Sequence, residues 1–142
     1  MYHSIRSYKL GIIKVLFMAK SSSKKPGWLA EPEDHDYPAA ASFLNLHFND
    51  KAVNQIIHTL QKAPVKTFKA KDIFRASGLS LLGISNSHVA KNLKKVKKGS
   101  LLSPLLLVRR PDGQGLIIAD GYHRMCAMYT LDEDLDVPCK IA

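Results

Sequence analysis

Two short apolar runs, at 105–108 and 116–119, stand on either side of Arg110-Pro111-Asp112-Gly113-Gln114-Gly115. Strand-length apolar segments joined by a turn rich in Pro, Asp and Gly predict a β-hairpin. The second run ends at Asp120-Gly121, and the residues from Tyr122 to about position 131 read as a helix with His123 and Arg124 in its first turn. This handover constrains the chain strongly, because a sheet and a helix must then pack as neighbours. It also predicts an anion site: free N–H groups and the positive end of the helix dipole meet two cationic side chains there. Asp120 is expected to cap the helix, its carboxylate accepting from the N–H of Tyr122 or His123.

A length of 142 residues allows one domain with a real core and is short for two. The net charge of +9 is unevenly spread. Residues 62–110 hold twelve Lys/Arg against the single acid Asp72, between acidic blocks at 29–61 and 111–142. Such a block suits nucleic acid, nucleotides or anionic lipid, or else forms a solvated lysine-rich helix face. Cys126 and Cys139 form no disulfide framework and are expected to be reduced and buried, as in a cytoplasmic protein. Without a run of about 18 apolar residues, no membrane span is expected, and no membrane partner. Residues 1–28 carry six Lys/Arg and no acid. They are expected to be a basic extension, with 1–17 poorly ordered or upstream of a start at Met18.

The remaining 29–142 reads as a single domain, with a helical part at 29–86 and a motif-bearing core at 87–142. Pro32 and Pro38 make 31–38 an extended acidic segment, and a short helix is expected over 39–47. Asn49 can cap a second helix in which Val53, Ile56, Ile57 and Leu60 recur on one face, ended by Pro64. A strand at 65–68, a brief helix at 71–77 closed by Gly78, and a loop at 79–86 follow. Ser87 can cap a helix over 88–98 that buries Val89, Leu93 and Val96, projects lysines elsewhere and stops at Gly99. A last strand is expected at 137–141. The cluster Glu31, Glu33, Asp34, His35 and Asp36 has the residue types of a metal site, but its spacing is uninformative and no metal is assigned to it.

The order helix, Ser103-Pro104, strand, hairpin, strand, Asp120 to Arg124, helix and Val137-Pro138 resembles the ParB/sulfiredoxin superfamily. There a strand runs into a Gly-x-His-Arg or Gly-Glu-Arg-Arg turn, then an alanine-containing helix and a final strand. Gly121-Tyr122-His123-Arg124, Ala127 and Val137-Pro138 occupy those places, over residues 87–141. The resemblance implies an α+β fold, a small mixed sheet flanked by helices, here with an N-terminal helical extension. It also implies ATP or CTP as ligand, with Mg²⁺. His123 and Arg124 would contact phosphate oxygens, and Gly121 would let the backbone approach them. By analogy the polar face of the preceding helix would add His88, Lys91 and Lys95, which recur at i, i+3 and i+7. Asp120 would pair with Arg124, hold Mg²⁺, or act as a base toward a hydroxyl in phosphoryl transfer or nucleotide hydrolysis.

Two departures narrow this expectation. Tyr122 stands where sulfiredoxins carry their reactive cysteine, and a phenol with pKa near ~10 is a poor substitute for a thiolate. Cys126, one turn further on, is expected to pack with Met125 and Tyr129. The partition proteins of the superfamily also carry a helix-turn-helix domain after this module, so a complete partition protein is not expected. A different reading takes 72–78, 88–98 and the 109–115 hairpin as a winged helix. Lys91, Lys94, Lys95, Lys97 and Lys98 would then face DNA phosphates, with Asn92 left to read bases.

Overall fold

The computed structural model describes residues 25–142, so the expectations for residues 1–24 lie outside the described residues. The chain is a mixed α+β fold. Its elements in order are β1 (Gly27–Trp28), α1 (Asp36–Leu44), α2 (Asp50–Lys62), β2 (Lys66–Lys69), α3 (Ala70–Ser77), α4 (Ser87–Lys98), β3 (Leu101–Leu102), β4 (Leu105–Arg109), β5 (Leu116–Asp120), α5 (Tyr122–Leu131) and β6 (Asp136–Ile141). No helix among the described residues is long and apolar enough to cross a membrane.

Four strands form one sheet in the order β2-β6-β4-β5. β4 and β5 are the expected antiparallel hairpin, β6 lies parallel to β4, and β2 closes the other edge antiparallel to β6. Side chains alternate across the sheet. Leu105, Leu107, Ile118, Val137 and Cys139 face one core with residues of α3, α4 and α5, and Cys126 joins it as expected. Leu106, Val108, Ile117 and Ala119 face a second core under α1 and α2. Helices therefore cover both faces, which explains why β4 is a run of buried residues rather than an alternating one.

Several local expectations shift. The helix expected at 39–47 begins at Asp36, because Pro38 falls in the first turn, where its missing N–H removes no bond. Asn49 caps α2 as expected, its Oδ1 accepting from Ala52 N at 2.9 Å. Asn86, not Ser87, caps α4, accepting from His88 N and Val89 N. Asn92 lies on the buried face of α4, where its Nδ2 donates to His88 O at 2.9 Å, and Leu93 is only half-buried. Gly27–Trp28, assigned to the basic extension, instead pairs in parallel with Leu101–Leu102.

Candidate functional site

β5 carries one residue more than β4 between the pairs Leu107↔Ile118 and Leu106↔Asp120. A bulge of this kind re-aims the side chain that follows it. Strict alternation would send Asp120 to the α5 side with Ile118. The bulge pairs it instead with Leu106, which faces the core under α1 and α2, and its Oδ2 meets Arg124 Nη2 at 2.9 Å, a nitrogen that also lies 4.0 Å from Oδ2 of Asp36 on α1. Asp36 is buried and accepts a hydrogen bond from Ser103 Oγ, which in turn accepts from Glu33 N at 3.1 Å. The acidic N-terminal segment is thus tied to the α5 turn through Asp36, Ser103 and Arg124. Local spacing holds no sign of this, since Asp36 and Ser103 are 67 residues apart.

The expected cap is not formed. Gly121 is itself the N-cap residue, at φ 105°, and no side chain among the described residues caps α5. The Asp120 carboxylate is drawn to the guanidinium one turn ahead, a stronger partner than a neutral N–H. A Cβ on Gly121 would overlap Leu105 Cδ2 and sit 2.9 Å from Arg124 Nη2. The glycine therefore gives room to Arg124 and Leu105, besides supplying a backbone conformation that L side chains avoid. Burial raises the Asp120 carboxyl above its ordinary pKa, against the lowering influence of Arg124, and Asp36 adds to the rise. Nε of Arg124 is buried with no hydrogen-bond partner among the described residues.

On the other side of the turn, the rings of His88 and His123 lie 4.8 Å apart, tilted by 46°. Of the α4 residues expected at the α5 end, His88 is the one the structure sets beside His123. Burial, then His88, lowers the His123 pKa, which favours the neutral imidazole. Tyr122 lies against His123 and its hydroxyl donates to the Ser80 carbonyl, tying down the loop at 79–86. Lys91 and Lys95 are exposed on α4 and enter no ion pair among the described residues.

Within the acidic cluster, Glu31 leaves to pair with the buried Lys140 at 2.8 Å. Glu33, His35 and Asp36 bring their donor atoms within 4.8 Å of one another. Asp36 already serves Ser103 and Arg124, and a set containing an imidazole is not the all-oxygen set that Mg²⁺ prefers. Concave regions among the described residues lie elsewhere. An apolar cavity of about 240 Å³ sits between α3 and the Arg109–Leu116 end of the sheet, and a cleft of about 420 Å³ lies between α1 and α2. No family model, curated protein or solved structure matches this chain.

Proposed function

We propose that this is a ParB/sulfiredoxin-like domain that binds the phosphate of a nucleotide, ATP or CTP being the class the resemblance implies, at the start of α5. One observation carries the reading: a ten-residue helix begins without any side-chain cap, and the His88 and His123 rings stand together beside that end. Uncapped N–H groups at a helix start are anion receptors, and imidazole N–H groups extend the donor set. Lys91 and Lys95 on the same helix as His88 supply charge for the outer phosphates. The mixed sheet, the Gly121 turn and the Val137-Pro138 strand agree with the same family.

Arg124 takes a different role from the one the resemblance implies. Held by Asp120 and Asp36, it fixes the turn from behind rather than meeting the ligand. Asp120 would become available as a base only on leaving Arg124, so phosphoryl transfer is not part of the proposal. No Mg²⁺ ligand is assigned.

The winged-helix reading gains no specific support. α3 and α4 each pack against α5 rather than as a helix-turn-helix pair, and Asn92 is turned inward.

The test is thermal stabilisation by ATP, CTP, GTP and inorganic phosphate, with and without Mg²⁺. A ligand at a hundred times its Kd raises stability by about 2.7 kcal/mol. His123→Ala combined with Lys91→Ala should abolish the shift while leaving the unliganded midpoint near wild type. No shift with any of these ligands would sink the proposal.

A further inference from the structure

The surface around α4 combines two chemistries, of which the proposed phosphate site draws only on Lys91 and Lys95. α4 carries five lysines and no acid, and none of the five pairs with an acid among the described residues. At about 100° per residue, Lys91, Lys94, Lys95 and Lys98 fall on one outward arc opposite the buried Val89 and Val96. Aliphatic side chains stand in solvent at both ends of this ridge. The loop leading into α4 exposes Leu79, Leu81 and Ile84, and Leu101 follows its last turn; Ile84 is 67% exposed and Leu101 57%. The loop is held in this arrangement by the Tyr122 hydroxyl on Ser80 and by Asn86 capping α4. A lone exposed leucine is ordinary on a protein surface; here three large aliphatics stand just before the lysine helix and one just after it.

We infer that this face docks on an anionic lipid surface, with the aliphatic tips entering the interfacial zone and the lysines lying over the headgroups. Charge complementarity and the apolar tips together select this occupant. Duplex DNA would match the lysines but offers Leu81 and Ile84 no apolar phase. A bilayer surface supplies both chemistries along a ridge of about 18 Å, without requiring a matched protein shape. The expectation of no membrane partner rested on the lack of a spanning segment, and surface docking needs none.

Co-sedimentation of the full chain with vesicles tests the inference, comparing phosphatidylcholine alone with phosphatidylcholine plus phosphatidylserine. Binding is expected only to the mixed vesicles and should weaken as salt is raised. Each lysine near an anionic surface is worth about fivefold in partition, so Lys94→Glu with Lys98→Glu should lower it at least about twentyfold. Leu81→Ser with Ile84→Ser should lower it about tenfold. All four positions are exposed, so both double variants should keep the wild-type melting midpoint. An indole placed by Ile84→Trp should shift its emission to the blue on the mixed vesicles.

Equal binding to both vesicle types, or to neither, overturns the inference. Retention on duplex DNA that is lost with the lysine pair but unchanged by the serine pair, without vesicle binding, assigns the face to nucleic acid instead. A self-associating chain made monomeric by Ile84→Ser, again without vesicle binding, assigns it to a second copy. None of these outcomes depends on a nucleotide binding at α5.

Discussion

Removing the Arg124 guanidinium isolates the charge arrangement behind the α5 turn. Arg124→Ala leaves Asp120 and Asp36 facing one another, with side chains only 17% and 5% exposed. Breaking a buried ion pair from one side costs about 3–5 kcal/mol. The residual exposure of Asp120 lets water in, so the lower end, about 3 kcal/mol, is expected. With a urea m-value of about 2 kcal/mol/M, the midpoint should fall by about 1.5 M. The cost should also depend on pH. The Asp120 carboxyl sits above its ordinary pKa in the native state, chiefly through burial. The native state therefore binds more protons than the unfolded chain between those two pKa values, and this group makes stability rise as pH falls through that window. Without Arg124 the native pKa climbs further, and the window extends upward. The deficit of Arg124→Ala should be full at pH 7 and shrink as pH falls toward about 4, the ordinary carboxyl value. Asp120→Asn added to Arg124→Ala should recover more than half of the loss. Asp120→Asn alone should change stability by less than about 1 kcal/mol, since Asp36 remains as counter-charge. Urea titrations of the four proteins across this pH range form the assay. A deficit below about 1 kcal/mol at pH 7, or one that pH leaves unchanged, would refute the reasoning.

Three further outcomes follow from the same geometry. Gly121→Ala meets a positive φ and overlaps Leu105, so denaturant melts should show a loss of about 2–5 kcal/mol; a near-neutral result would mean that the turn is not held as described. Asn86→Ala should cost about 1 kcal/mol and Ser87→Ala close to nothing, an order that the original expectation of a Ser87 cap reverses. The His123 imidazole has its pKa lowered by burial and then by His88, so its neutral native form binds fewer protons than the unfolded chain. Its contribution to stability should be present above the ordinary histidine range and decline as pH falls through that range to the lowered value; His123→Gln should abolish this slope in melts between pH 5 and 7.

The hairpin, the glycine-ended helices and the strand-to-helix handover were legible because each follows from local chemistry. Asn49, Gly99 and the Arg110–Gly115 turn act through bonds to their own neighbours, and Gly78 through its left-handed backbone; both are written in local residue types. Asp36 and Ser103 were not legible as site residues. Their roles depend on a contact across 67 positions, and nothing in the acidic segment distinguishes Asp36 from Glu33 or Asp34. The Asp120 cap failed for a related reason. The residue type and position fit a cap, but the carboxylate pairs with Arg124 instead, and the bulge that sets Asp120 opposite Leu106 leaves no periodic trace in the strand. The Gly99 end of the lysine helix was legible and its start was one residue off, yet the exposure of Leu81, Ile84 and Leu101 was not, because hydrophobicity alone places such residues in a core.

On the proposed reading, the charge layout gives Arg124 a part in anion binding without contact. Behind the turn, Asp120 and Asp36 outnumber Arg124, leaving one net negative charge in a half-dry environment. In front stand exposed lysines whose fields are damped by water and salt over a Debye length of about 8 Å. Counting charges would favour the lysines, but dielectric reverses the weighting, because a buried carboxylate acts on the helix end more strongly than a solvated ammonium at similar range. An anion at the uncapped N–H groups of α5 would thus meet repulsion through the protein and attraction through solvent. Arg124 halves the repulsive side by neutralising one of two carboxylates. On the proposed reading, phosphate affinity should fall when Arg124 is lost and return when Asp120 is also neutralised, even though the guanidinium is not restored. A direct guanidinium–phosphate bond predicts no such rescue, and the double variant Arg124→Ala, Asp120→Asn in the nucleotide thermal-shift assay separates the two.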